Sequence, residues 1–144
     1  MKIHLAADHA GFELKEAVKQ FLLEQGREVE DHGAFELNKK DDYPDFVAPC
    51  AEAVASDSGA LGIIFGGSGQ GEAMVANRHE GVRAAVYYGG KQEIVRLSRE
   101  HNNANVLSIG ARFVDTDEAL SVIKLWLELP FSNDERHVRR LAKF

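Results

Sequence analysis

Residues Ala60-Leu61-Gly62-Ile63-Ile64-Phe65-Gly66-Gly67-Ser68-Gly69-Gln70-Gly71-Glu72-Ala73-Met74-Val75-Ala76-Asn77 decide how the chain is read. An apolar run of strand length meets a turn holding four glycines in six positions, and a helix-like segment follows. Strand, glycine turn and helix in that order make a loop whose backbone N–H groups turn inward toward an anion. Glu72 sets the loop apart. A carboxylate beside donors able to hold an oxyanion suits a proton-abstracting enzyme, whereas a loop that only cradled phosphate would gain nothing from it. Taken alone, Glu72 reads equally well as an acid in the first turn of a helix. The Gly-x-Gly-x-Gly spacing follows a third strand, and Tyr87-Tyr88-Gly89 stands where a dinucleotide site needs an acid. Both features argue against a nicotinamide cofactor, and the absence of Gly-Lys-Ser/Thr argues against a nucleotide phosphate loop.

Outward from this stretch, strands and helices alternate. Lys2 to Ala7 reads as a first strand, broken by Asp8-His9-Ala10-Gly11. Leu14, Val18, Phe21 and Leu22 then share one helical face, and Gly26 supplies a stop. Arg27 to Asp31 is a short polar strand suited to a sheet edge, and Gly33 to Asp42 is a wet loop. Pro44 opens a second helix to about Ser56. Leu61–Phe65, Val82–Tyr87 and Asn105–Ile109 are the remaining strands, with a helix over about 91–101 between the last two. Asp115-Thr116-Asp117-Glu118 caps a long helix to Leu129, stopped by Pro130, and Asn133-Asp134 caps a short terminal one. The long helix carries an apolar belt wider than one face needs, which points to partial burial by a second subunit. Five alternations indicate a single α/β domain over residues 1–144, a three-layer sandwich on a five-stranded, mainly parallel sheet.

Lys and Arg total 17 against 23 Asp and Glu, a formal net charge of −6, which argues against general nucleic-acid binding. No apolar run approaches the ~20 residues that span a bilayer, and Asp8 interrupts the start before a signal-peptide core forms, so the expected location is cytoplasmic. The single cysteine, Cys50, lies in an Ala-rich helical stretch and reads as a small buried thiol. No His-x-x-x-His, Cys-x-x-Cys or carboxylate cluster has ligand spacing, so neither a metal nor another cofactor is expected.

Ligands of such sheets sit beyond the carboxyl ends of the strands. That rule puts Asp8-His9, the glycine loop and Gly110-Ala111-Arg112 on one rim, while His101-Asn102-Asn103 precedes the last strand and its place is open. Asp8-His9 reads alone as a helix cap with a polar neighbour, and His101 as a helix end. Arg136 and Arg140 lie one helical turn apart and can converge on one phosphate.

Ala7-Asp8-His9-Ala10-Gly11-Phe12-Glu13-Leu14-Lys15, Asp42-Tyr43-Pro44, the glycine loop, Arg99-Glu100-His101-Asn102-Asn103-Ala104-Asn105, Gly110-Ala111-Arg112 and Arg136-His137-x-Arg139-Arg140 together resemble the ribose-5-phosphate isomerase B family, nearly end to end and in the same order. That family includes galactose-6-phosphate isomerase subunits and allose-6-phosphate isomerases. The resemblance implies a Rossmann-like subunit and a metal-free aldose–ketose isomerase of a small phosphorylated sugar. It also implies active sites shared across a homodimer, sometimes paired into tetramers, with the C-terminal helix at about 133–144 reaching the partner's site. Many relatives use a cysteine just before the glycine loop as the base; here that position is Gly66. A second branch, common in actinobacteria, uses the glutamate of Gly-Gly-Ser-Gly-x-Gly-Glu, so Glu72 inherits the base role. On this resemblance His101, with Asp8, serves ring opening. Ser68 and the N–H groups of Gly67, Gly69 and Gly71 hold the enediolate, Asn102 the hydroxyls or oxyanion, and Tyr43 a pocket wall. His9, Arg112, Arg136 and Arg140 receive the phosphate, and His137 lines the far end. The substrate is read as ribose 5-phosphate, with a four- or six-carbon sugar phosphate, or a silent phosphosugar-binding module, as alternatives.

Overall fold

The computed structural model describes residues 1–144. Strands β1 (Lys2–Ala7), β2 (Glu28–Asp31), β3 (Leu61–Gly66), β4 (Ala84–Tyr87) and β5 (Val106–Gly110) form one sheet in the order β2-β1-β3-β5-β4, every neighbouring pair parallel. The helices are α1 (Phe12–Glu24), α2 (Pro44–Ser56), α3 (Gln70–Ala76), α4 (Glu93–Glu100), α5 (Thr116–Glu128) and α6 (Glu135–Leu141).

Burial explains the strand order. All of β3 and β5 is buried, and β1 is buried after Lys2, as expected of parallel strands covered on both faces. Polar β2, with Glu28 and Glu30 exposed, takes one edge, and half-buried β4 the other. Helices α1, α4 and α5 bring Leu14, Val18, Leu22, Val95, Val122 and Trp126 against Ile3, Leu5, Phe65 and Ile109 on one face. Helix α2 brings Val47, Cys50 and Val54, and α3 brings Ala76, against Ala6, Ile64 and Val106 on the other. Each large apolar side chain buried in this way contributes roughly 1.5–3 kcal/mol.

Three sequence expectations shift. Helix α3 starts at Gln70, so the end of the glycine loop is already helical and Glu72 stands in the first turn. Strand β4 starts at Ala84, because the N–H of Val82 turns back to the carbonyl of His79. The apolar belt of α5 is largely taken up inside the chain. Ala119, Val122, Ile123 and Trp126 are fully buried, and Leu120 and Leu127 pack against the same core. No helix is long and apolar enough to cross a membrane.

Because β1 leads to β2 on one side and β3 lies on the other, the loops after β1 and β3 diverge over a crevice at the carboxyl rim. Register keeps that rim level: Ala7 pairs with Phe65, and Gly66 with Gly110.

Candidate active site

The site grows from the end of β3. Gly66 is the last strand residue, and a Cβ there would collide with the Glu72 carboxylate, so the missing side chain is what lets the carboxylate fold back over the strand end. Gly69 supplies the turn with a φ of +76°, a conformation that costs glycine little. Its carbonyl accepts from the buried Ser108 Oγ at 2.6 Å, which fixes the loop to β5. The carbonyls of Gly66 and Gly67 accept from the N–H groups of Ala111 and Arg112 at 2.8 and 3.1 Å. The N–H groups of Gly67, Ser68 and Gly69 donate to no backbone acceptor and are available to a ligand. Ser68 Oγ accepts from the N–H of Gln70 at 3.3 Å.

Glu72 is 4 % exposed. Burial raises its pKa above the ordinary glutamate value and the nearby charge of Asp8 adds to the rise, while its own backbone N–H pulls the other way. A desolvated carboxylate poised closer to neutrality is a better proton acceptor than a solvated one. Asp8, 6 % exposed, accepts from the N–H groups of Ala10 and Gly11 at 2.9 and 3.3 Å, which holds it at the mouth of α1. Tyr43 reaches over from the start of α2: a Cβ on Gly71 would stand 2.6 Å from its hydroxyl oxygen. Arg112 lies across Gly67, with Nη1 3.1 Å from where a Cβ would be. With His9, Lys39 and Leu37, Arg112 lines a recess of about 410 Å³.

Asp41, which sequence reasoning left in a wet loop, belongs to this rim. Its Oδ1 accepts from the backbone N–H of His9 at 3.0 Å and lies 2.7 Å from His9 Nδ1, and its side chain is only 8 % exposed. The loop is brought there by Asp31, which takes the Nζ of fully buried Lys15 on both oxygens at 2.7 Å and the N–H of Gly33 at 2.9 Å. An acid separated from His9 by 32 residues leaves no spacing signal. Asp8, His9 and Asp41 lie close together; Asp8 Oδ1 accepts the N–H groups of Ala10 and Gly11, Asp41 Oδ1 takes His9, and the buried Asp41 Oδ2 has no partner.

His101, Asn102, Arg136, His137 and Arg140 lie elsewhere. His101 ends α4, and the chain then runs into the start of β5, where the carbonyl of Asn105 accepts from Gly62 and the N–H of Asn105 donates to Arg83. This is the amino rim. Five residues of β5 at about 3.3 Å each separate it from Glu72 by roughly 15 Å. The His101 and His137 rings face each other with centroids 4.2 Å apart, and Ser132 Oγ lies 2.9 Å from His137 Nδ1. The N–H of Ser132 donates to the carbonyl of Glu100, and Arg99 Nε to that of Leu129, which ties the tail to the end of α4. His137 is 3 % exposed; burial, His101 and Arg136 lower its pKa. Arg136 and Arg140 are exposed, and neither they nor Arg112 joins an ion pair. Asn102 is exposed beside a second recess of about 440 Å³ that also includes Arg83 and Phe144. One chain thus brings Asp8, His9, Tyr43, Ser68, Glu72 and Arg112 together and leaves the five others on the opposite rim. Cys50 is fully buried on the sheet-facing side of α2, where burial pushes its thiol pKa up, away from both groups.

The family model described as Ribose/Galactose Isomerase matches residues 3–144. Ribose-5-phosphate isomerase B of Mycobacterium leprae is 41% identical over 141 residues, covering 98% of this chain and 86% of that protein. The Clostridium thermocellum ribose-5-phosphate isomerase B structure superposes with a TM-score of 0.93 at 42% identity, covering 99% of this chain and 94% of that one. A Mycoplasma genitalium ribose-5-phosphate isomerase B structure with bound ribulose-5-phosphate gives a TM-score of 0.93 at 36% identity, covering 99% and 92%. With fold, glycine loop and sequence in agreement from end to end, the chain belongs to the ribose/galactose isomerase family.

Proposed function

We propose that the chain interconverts ribose 5-phosphate and ribulose 5-phosphate by proton transfer, in sites completed between two copies in the cytoplasm. The observation that carries the reading is the Glu72 carboxylate: buried, raised in pKa, and folded over Gly66 beside the unpartnered N–H groups of Gly67, Ser68 and Gly69. Its test is proton NMR of ribose 5-phosphate in D₂O with no added metal. Deuterium at the exchanging carbon together with ketose is the expected result; neither exchange nor product would overturn the reading.

The chemistry follows from the groups. His101 of the second copy, with Asp8, moves the protons that open the furanose. Glu72 then takes the C2 proton. The C2–H electron pair becomes the C1–C2 double bond of a cis-enediolate, and the carbonyl pair moves onto oxygen. Loop N–H groups and Ser68 hold that oxygen, an arrangement in which a single donor is typically worth ~10² to 10³ in rate. The O2 hydroxyl proton passes to O1, and return of the carbon-bound proton from Glu72 to C1 then leaves the carbonyl at C2. Asn102 steadies the sugar hydroxyls, Tyr43 walls the pocket and His137 lines its far end. The phosphate, at about −1.5 to −2 charges, is received by His9 and Arg112 from one copy and by Arg136 and Arg140 from the other. The separation of the two rims within one chain supports assembly from two. Both copies then contribute a half to each site, as a two-fold interface requires. No step needs a metal or an organic cofactor.

A further inference from the structure

On the sheet face partly covered by α2, β1 and β2 present a second constellation. His4 and Glu30 are in register across the two strands, and His32 follows β2 two residues later on the same face. His4 Nδ1 and His32 Nε2 are 2.8 Å apart. Glu30 approaches both, with Oε2 3.9 Å from His4 Nδ1 and Oε1 3.8 Å from His32 Nε2. His4 is 4 % exposed and its Nε2 finds no partner, so the only hydrogen bond of a buried imidazole is to another imidazole. Asp31, between the acid and the second histidine, points the other way and is engaged by Lys15 and Lys19.

We propose that His4, Glu30 and His32 form a binding site for one divalent transition ion of the borderline class, Cu²⁺, Ni²⁺ or Zn²⁺, which clips edge strand β2 to β1. Two imidazole nitrogens and one carboxylate oxygen are the donors that this class selects over Mg²⁺ and Ca²⁺. Nitrogens 2.8 Å apart subtend about 85° at a metal roughly 2.0–2.1 Å from each, close to the right angle of square-planar and octahedral ions; opening the pair by about half an ångström reaches the tetrahedral angle of zinc. Glu30 is free to close in. Its side chain is 47 % exposed, and its other partner, Lys2 at 3.1 Å, is a surface ion pair of little worth. Partial exposure of His32 leaves a remaining coordination position to water. Neither strand signal nor motif spacing announced the site, because its ligands lie 28 residues apart and meet only through parallel pairing.

The test uses the full-length protein stripped with chelator and titrated with ZnCl₂, NiCl₂ or MgCl₂ by calorimetry and thermal unfolding. At least one of Zn²⁺ and Ni²⁺ should bind one equivalent per chain and, at about 100 times Kd, raise Tm by roughly 5–10 °C, while Mg²⁺ does neither. His32→Asn and Glu30→Gln, both at partly exposed positions that leave the core intact, should each weaken binding by more than the roughly 10- to 100-fold that loss of an outer-shell partner causes. No binding of either transition ion, or undiminished binding in both variants, overturns the proposal. Isomerase turnover, unaffected by the chelator, reports separately on the carboxyl rim.

Discussion

The carboxyl rim and the amino rim hold comparable numbers of polar groups and treat them in opposite ways. At the carboxyl rim Glu72 and Asp8 are buried, Asp41 nearly so, and the glycine loop is tied to the end of β5. At the amino rim Arg136, Arg140 and Asn102 stand in solvent with no acid to neutralise the arginines, and only His137 is buried. The difference teaches which part of the reaction each rim suits. Proton transfer needs a desolvated base held in place before substrate arrives. Phosphate capture needs cations left uncompensated until an anion reaches them.

The comparison breaks most visibly at the base. Glu72→Gln should cut kcat about 10³-fold with KM little changed, measured by conversion of ribose 5-phosphate; near-normal turnover would move the chemistry off this rim. The same variant carries a stability signature. Because burial raises the folded-state pKa, the ionised carboxylate destabilises the fold above that pKa. Glu72→Gln should therefore melt no lower than the parent at pH 7, and any advantage should vanish below the unfolded-state value.

A sharper cut separates one chain from two. His101→Asn should lose about 10²-fold in kcat. Mixing it with Glu72→Gln subunits under exchange should restore about a quarter of the parental activity, since half of a random dimer population carries one intact site of two. No recovery would mean that the two rims do not serve one site.

Arg136→Ala tests the exposed side: KM for the phosphosugar should rise about 10- to 100-fold, the range of one charge-assisted hydrogen bond, with kcat changed less. Asp41→Asn should raise the same KM only about 3- to 10-fold by loosening His9. The acid limb of kcat/KM should titrate above the ordinary glutamate range, because the base is protonated as pH falls through its raised pKa; a limb at the ordinary value would return Glu72 to solvent.

What the sequence made legible was local. The order of elements and the glycine turn follow from periodicity, and Glu72 from its place beside the glycines, because each rests on neighbours in the chain. Strand order does not, since β5 inserts between β3 and β4 only through tertiary packing. The side of the sheet taken by His101 was left open for the same reason. Asp41 looked like a solvated loop acid because its partner, His9, is distant in sequence, and the loop is drawn in by the Lys15–Asp31 pair. The apolar width of α5 pointed outward; its covering came from α1, α4 and the sheet, whose arrangement no single helix reveals.

Gly66 and Glu72 also bear on how such an enzyme changes over evolutionary time. Since a Cβ at 66 and the Glu72 carboxylate compete for one volume, a side chain at the strand end and an acid from the helix are alternative tenants. A lineage cannot carry a cysteine at the first position and this glutamate pose together. With Glu72 as the base proposed above, adding a thiol at 66 first displaces it, and deleting the acid first leaves none. On that reading each single step is harmful, so one steric contact couples the two positions and makes them change together.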